Sequence, residues 1–361
     1  MKKIFIISGE VSGDILGAEL IREIRKIEPM AVFVGIGGES MAYEGLQSIF
    51  PITDLAVQGI VEVLAKARTL TRRIRQTASA IIAEAPDIVV SIDATSFSSR
   101  VVKMARKMGS SIPFHQIVAP MVWAWGGERR AKKYSRIWDN IYAFFDFEAP
   151  LFEKFGQKVT VIGYPFYNTT ARHINDGLKK KYIALLPGSR IGETKKIMPI
   201  YKKFAEYYPD FEYAIPVAET TREYVEREVK KWKLPVRIFP FNQRFDLYNQ
   251  AIIAISLKGT ATAELAIMGV PTVLLWKLNF FSTVIIKHLL LTTKYLAMVN
   301  IVANRGIFPE LFGIGQVTPA KIAHAINSMD VNKIRDELSN HSIWHKRDNP
   351  MAIAAKELLS V

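Results

Sequence analysis

The chain of 361 residues carries 48 Lys and Arg against 34 Asp and Glu, a formal charge of +14, and no cysteine. A disulfide scaffold and thiolate metal sites are excluded, and 49% hydrophobic residues exclude a disordered chain. At roughly 100–200 residues per domain the length predicts two domains. The positive surplus predicts an anionic partner, with nucleic acid, an anionic membrane and a phosphorylated substrate all open.

The opening run Ile4–Ile7 stops at Ser8-Gly9-Glu10, too short for a signal-peptide core, and reads as the first buried strand of a cytosolic α/β domain. A helix follows over Ile15–Ile27, then a strand at Val32–Ile36. A helix is predicted from Ala67 to Ala83 and a strand at Ile88–Ile92. After Gly163-Tyr164-Pro165 the pattern restarts, with strands at Tyr182–Leu186, Phe211–Ile215, Val236–Phe239, Ile252–Leu257 and Thr272–Leu275. Ile343–Leu359 reads as a terminal helix. The alternation predicts two doubly wound, Rossmann-like α/β domains, 1–167 and 168–361, with a cleft between them. The most apolar stretch, Phe280–Val299, is interrupted by Lys287, His288 and Lys294, so no membrane span is expected.

In such sheets ligands bind beyond the carboxyl ends of the strands. Four loops qualify. The first, Ser8-Gly9-Glu10-Val11-Ser12-Gly13-Asp14, has glycines that allow close approach, and Ser12 or Asp14 could cap the next helix. The second ends in Asp93, placed either as a general base or as a turn residue. The third, Pro187-Gly188-Ser189-Arg190, joins a helix start to a forked cation suited to phosphate, or is a capped turn with a solvated Arg. The fourth, Lys258-Gly259-Thr260-Ala261-Thr262-Ala263-Glu264, again opens a helix. Glu264 could meet ribose hydroxyls or complement the helix dipole.

The strings SGEVSGDILGAELI, VQGIVEVL (57–64), PDIVVSIDA (86–94), VWAW (122–125), LLPGSR (185–190) and GTATAE (259–264) occur in order. As an ordered set they resemble the lipid-A-disaccharide synthase family. That resemblance implies a GT-B fold of two facing domains. It implies a metal-free and cofactor-free, inverting transfer of an acylated glucosamine from its UDP derivative to the 6-hydroxyl of an acylated glucosamine 1-phosphate. It also implies an N-terminal acceptor-side domain and a C-terminal UDP-sugar domain. Asp93 is then the expected base, and Arg190 stabilises departing UDP. Gly188, Ser189, Gly259, Thr260, Glu264, Asn300 and Glu310 join the donor site. Gly9, Glu10, Ser12 and Asp14 lie near the sugar or acceptor. The chain departs from the family's common residues at Gly126, Tyr164 and Val299, where Arg, His and Pro are usual.

The segment from Ile60 to Arg75 interleaves apolar and basic residues. Val61, Leu64, Arg68, Leu70 and Arg72 are the expected contacts with an anionic membrane, the alternative being a solvated basic helix face. Acylated substrates favour the membrane, placing the protein peripherally on the cytoplasmic face of the inner membrane; a homodimer is left open. His341 and His345 lack a third ligand, so no metal site is expected. A UDP-sugar epimerase or hydrolase of the same fold, or a transferase with another lipid acceptor, is the alternative. No helix-turn-helix, zinc or RNA-binding signature supports a nucleic-acid partner.

Overall fold

The computed structural model describes residues 1–55, 67–124, 126–277, 293–339, 344 and 349–360. The chain forms two compact units. One comprises Met1–Pro165 together with the helix Pro350–Leu359; the other begins at Phe166.

The first unit is built on a parallel sheet of β1 (Lys3–Ser8), β2 (Val32–Ile36), β3 (Gln47–Ser48), β4 (Ile88–Ile92), β5 (Phe114–Ile117), β6 (Asn140–Ala143) and β7 (Val159–Val161). Its strand order is β3-β2-β1-β4-β5-β6-β7. Ile4, Phe5, Ile6 and Ile7 are all fully buried, because a parallel strand covered by helices on both faces needs a continuous apolar run. Burial of each such side chain is worth about 1.5–3 kcal/mol. The order reverses between β1 and β4, whose register ends with Ser8 opposite Ile92. Gly9 and Asp93 are therefore the first residues beyond the sheet at its switch point, where doubly wound folds bind ligands.

The second unit holds β8 (Tyr182–Leu186), β9 (Glu212–Val217), β10 (Val236–Pro240), β11 (Ala251–Leu257), β12 (Thr272–Trp276) and β13 (Glu310–Phe312), all parallel, in the order β10-β9-β8-β11-β12-β13. Its reversal lies between β8 and β11, so Pro187–Arg190 and Lys258–Thr260 leave the sheet side by side.

The terminal helix departs from expectation. It starts at Pro350, with Asn349 accepting from the Ala352 amide at 3.0 Å, and Ile343, where it was expected to begin, lies outside the described residues. An Asn cap followed by proline at the first helical position is the local start signal. It also belongs to the first unit rather than to the 168–361 domain: Met351, Ala354, Ala355 and Leu358 are fully buried, and the helix packs on Val11–Ile27. The two alanines let the backbones approach, but nothing in their sequence specifies which sheet they cover.

Among the described residues no helix is long and apolar enough to cross a membrane. In the helix Ala67–Glu84, Ile74, Ala78 and Ile81 face the core and Leu70 packs partly against it, so Leu70 is not a free membrane contact. Arg68, Arg72 and Arg75 are exposed. Arg73 is instead paired with Asp54 (Nη2–Oδ2 2.5 Å) over the Phe50 ring. Val61, Leu64 and the whole 57–64 string lie outside the described residues, as do Trp125, His341 and His345.

Candidate functional site

The switch point of the first unit is a crowded, strained turn. Asp93 and Ala94 have φ of 55° and 44°, left-handed values that cost a non-glycine residue roughly 1–3 kcal/mol each. Val118, just past β5, sits at φ 71° and is β-branched, a sharper outlier. Gly9 explains its own identity: a Cβ there would lie 2.7 Å from Ala94 Cβ. A Cβ on Gly13 would lie 2.6 Å from Ser8 Oγ. These two glycines let the first loop press against the Asp93 turn.

Asp93 is partly buried, and its main chain is pinned to β5, its N–H donating to the Ile117 carbonyl at 3.0 Å. Burial pushes its carboxyl above the ordinary carboxylate range, opposed only by the Ala94 amide. A partly desolvated carboxylate with raised proton affinity is suited to removing a proton.

The rest of the first loop divides. Glu10 and Ser12 are exposed, and neither caps the helix Val11–Ile27 through its side chain. Asp14 is buried and turned away from the loop. Its carboxylate accepts from the amides of Gly38 (2.7 Å), Ser40 (2.8 Å) and Met41 (3.2 Å), tying down the start of the helix Glu39–Tyr43. Asp14 therefore caps, but it caps the helix after β2 rather than its own, and its acceptor capacity is spent on backbone rather than on a sugar.

Nearby, Trp123 donates to Glu148 at 3.0 Å, and Glu148 also accepts from the amides of Phe144 and Phe145. Complete burial pushes Glu148 up to about 7 despite those bonds. Tyr164, where the family's His is usual, stacks on Phe145 at 5.6 Å. Gly126, where Arg is usual, has φ 80° and begins the helix Gly127–Tyr134, so the departure there suits a left-handed turn.

In the second unit Gly188 has φ 81°, which glycine alone adopts without strain. The turn is braced from behind by Thr194 Oγ1, which lies 3.1 Å from the Pro187 carbonyl and 3.4 Å from that of Gly188, and by Thr220, which donates to the Ser189 carbonyl at 2.6 Å. Ser189 and Arg190 stay exposed, Arg190 lying 3.6 Å from Glu193. The helices that start after these loops, Ile191–Tyr207 and Thr260–Ile267, have no side-chain cap. The amides of Glu193 and Thr262 already donate to the carbonyls of Arg190 (3.0 Å) and Gly259 (3.1 Å), so it is the amides ahead of them in each first turn that can meet an anion. A Cβ on Gly259 would meet nothing within 4 Å, so this glycine borders open space.

Glu264 is not a lone acid. Arg244 grips its carboxylate through Nε (3.0 Å) and Nη2 (3.0 Å) while lying over the rings of Phe241 (4.3 Å) and Phe245 (4.1 Å). Asn300 is fully buried and spends all its capacity on the protein. Its Nδ2 donates to the Phe308 carbonyl and Glu310, and its Oδ1 accepts from the amides of Ile307 and Phe308. Asn300 therefore shapes this segment rather than presenting itself to a donor. Glu310 accepts from the amides of Leu296 and Ala297 as well, and burial raises its carboxyl.

Lys258 heads the fourth loop, where the residue string alone assigned it no role. Its ammonium lies 4.5 Å from the Trp276 ring centre. Burial and the charge of Arg190 both lower its proton affinity, with Glu193 and Glu310 acting in opposition. Lys258 and Trp276 line a cavity of about 120 Å³ together with Glu193, Lys196 and Lys277. The available signal was a lysine between a strand end and a helix start. A larger open depression of about 690 Å³, around Arg305, Asp330 and Glu337, lies by the helix Val331–Ser339, whose Arg335 bonds the Ile252 carbonyl near the other end of β11. Among the described residues no group of three His, Cys, Asp or Glu side chains could hold a metal ion.

Comparison with known proteins supplies the lineage. Among solved structures, UDP-GlcNAc 2-epimerase from Neisseria meningitidis bound to UDP-GlcNAc matches with a TM-score of 0.68 at 15% identity, over 99% of this chain and 100% of that one. MurG of Acinetobacter baumannii matches at 0.62 and 14% identity over all of both chains. At these identities the likeness shows the fold, which is of GT-B type. Among curated proteins, the lipid-A-disaccharide synthase of Rhodospirillum centenum is 34% identical over 342 residues, covering 90% of this chain and 84% of that protein. That of Nitrosococcus oceani is 31% identical over 358 residues, covering 94% and 91%. The model of the family described as lipid-A-disaccharide synthetase matches residues 4–358, and the chain belongs to that family.

Proposed function

We propose that this chain transfers 2,3-diacylglucosamine from its UDP derivative to 2,3-diacylglucosamine 1-phosphate, forming a β-1,6-linked disaccharide phosphate and UDP. The observation that carries the reading is the family match across both units, joined to a partly buried carboxylate, Asp93, at the first switch point.

The acceptor's 6-hydroxyl is a poor nucleophile, and Asp93 takes its proton as the oxygen attacks the anomeric carbon. The bond from that carbon to the UDP oxygen breaks on the opposite face, so the anomeric centre inverts. UDP leaves with the electron pair. Arg190, Lys258 and the uncapped helix starts at Ile191 and Thr260 stabilise the charge that develops. Glu264, oriented by Arg244, accepts from the ribose hydroxyls. Gly9, Glu10 and Ser12 border the sugar and acceptor, whereas Asp14 and Asn300 each support the fold of their own unit.

The acylated substrates place the enzyme at the cytoplasmic face of the inner membrane. Its exposed Arg68, Arg72 and Arg75, on a chain of net charge +14, suit an anionic surface. Sedimentation with anionic but not zwitterionic vesicles tests this, and equal recovery with both would remove it.

Incubation with both acylated substrates, followed by mass spectrometry, tests the reaction. A disaccharide phosphate with stoichiometric UDP is expected, and its absence overturns the substrate assignment. The alternative on the same fold is epimerisation or hydrolysis of the donor, and the family match counts against it. UDP release without acceptor would support that alternative.

A further inference from the structure

We propose that Gln116 is a positioning residue that holds Asp93 in its strained, proton-accepting turn. This inference rests on the reading of Asp93 as the base.

Gln116 is fully buried in β5, between the buried His115 and Ile117. Its Nε2 lies within hydrogen-bond distance of three main-chain carbonyls, those of Asp93 (3.0 Å), Ile117 (3.0 Å) and Val118 (3.2 Å). Carbonyls can only accept, so the NH2 group must face them and the amide orientation is settled by chemistry. Its Oε1 accepts from Ser91 Oγ (2.6 Å) and Ser98 Oγ (3.2 Å). Ser91 in turn accepts from Trp138 Nε1 at 3.1 Å. One side chain thus ties together two of the three left-handed residues around the switch point, Asp93 and Val118, and the helix that follows Ala94.

Strained residues persist only where their surroundings over-determine them. The Asp93 amide is already committed to the Ile117 carbonyl, so the Gln116 bond to the Asp93 carbonyl clamps the same residue from its other end. Without that clamp the turn relaxes, and the carboxylate moves from its partly buried place toward solvent. No charged side chain enters the balance of burial and the Ala94 amide that sets its proton affinity.

The test compares Gln116→Met, of similar length but without hydrogen bonds, Ser98→Ala, which removes one support of Oε1, and Asp93→Asn. Single-turnover rates are measured against pH, alongside UDP affinity and melting temperature. Gln116→Met is expected to lose at least 30-fold in rate with UDP affinity within twofold. The acid limb of its rate profile should move down toward the ordinary carboxylate range. Ser98→Ala is expected to lose threefold or more, with its limb moving in the same direction. If Gln116→Met fails to fold, Ser98→Ala decides. Rates within twofold of wild type with unmoved limbs overturn the inference. An inactive Asp93→Asn beside such rates means that positioning alone has failed. A near-normal Asp93→Asn overturns the base reading and this inference together.

Discussion

Arg244 holds Glu264 by one edge of its guanidinium, through Nε and Nη2, while its Cζ lies over the rings of Phe241 and Phe245. Both partners are largely buried, with side-chain exposures of 18% and 14%. Removing the cation leaves a largely buried carboxylate without its bidentate partner. Arg244→Met should therefore cost about 1–3 kcal/mol of stability, read by denaturant unfolding. It should also weaken uridine and UDP alike, because Glu264 loses its orientation. Lys keeps the charge but not the fork, and Arg244→Lys should recover only part of the loss.

Asp93→Asn should lower turnover by about 10²–10⁴-fold, the usual contribution of a positioned base, with UDP affinity retained. In the wild type the rate should climb with pH through a value above the ordinary carboxylate range, because burial raises the Asp93 carboxyl. The stability consequence has a definite sign. The unfolded carboxyl ionises at lower pH than the folded one, so the native state is favoured at acid pH and loses that advantage as pH rises through the folded value. Asp93→Asn should consequently gain stability relative to wild type at pH 8, and less so at pH 4.

Gly9→Ala tests the contact between the first loop and the Asp93 turn. The added Cβ would stand 2.7 Å from Ala94 Cβ, so the loop or the Asp93 turn must shift to admit it. Overpacking of this kind costs about 1–3 kcal/mol. The rate should fall, with the affinity for UDP unchanged. A variant with normal turnover would show that the turn tolerates displacement.

Lys258→Met should weaken UDP binding about tenfold, about 1.4 kcal/mol, and leave uridine affinity unchanged. Titration calorimetry with the two ligands separates a phosphate contact from a general change in the donor site. Equal losses for both would remove Lys258 from the phosphate contacts, and Lys258→Arg should retain most of the affinity.

Much of the architecture was legible because it is written in local periodicity. Continuous apolar runs marked β1, β2, β4, β8 and β11 to within about a residue, and the strand-end loops followed from them. Five strands escaped that reading: β3, β5, β6, β7 and β13 are short, and β5 and β6 carry buried polar residues such as His115, Gln116 and Asn140. Gln116 is buried because other segments satisfy both ends of its amide, a condition no single segment reveals, whereas His115 Nε2 and Asn140 Oδ1 find no hydrogen-bond partner among the described residues.

The sequence by itself determined the two sheets, the loops at their strand ends and, through the ordered motifs, the family. Tertiary structure alone decided what individual polar side chains do there. Asp14 and Asn300 turned into backbone anchors because amides brought in from other segments, Gly38 to Met41 and Ile307 to Phe308, consume their oxygens. Asp93 became a strained, partly desolvated carboxylate because β1 and β5 close around its turn. A side chain's chemistry belongs to its residue type, but its available lone pairs and its solvation depend on segments far away in the chain.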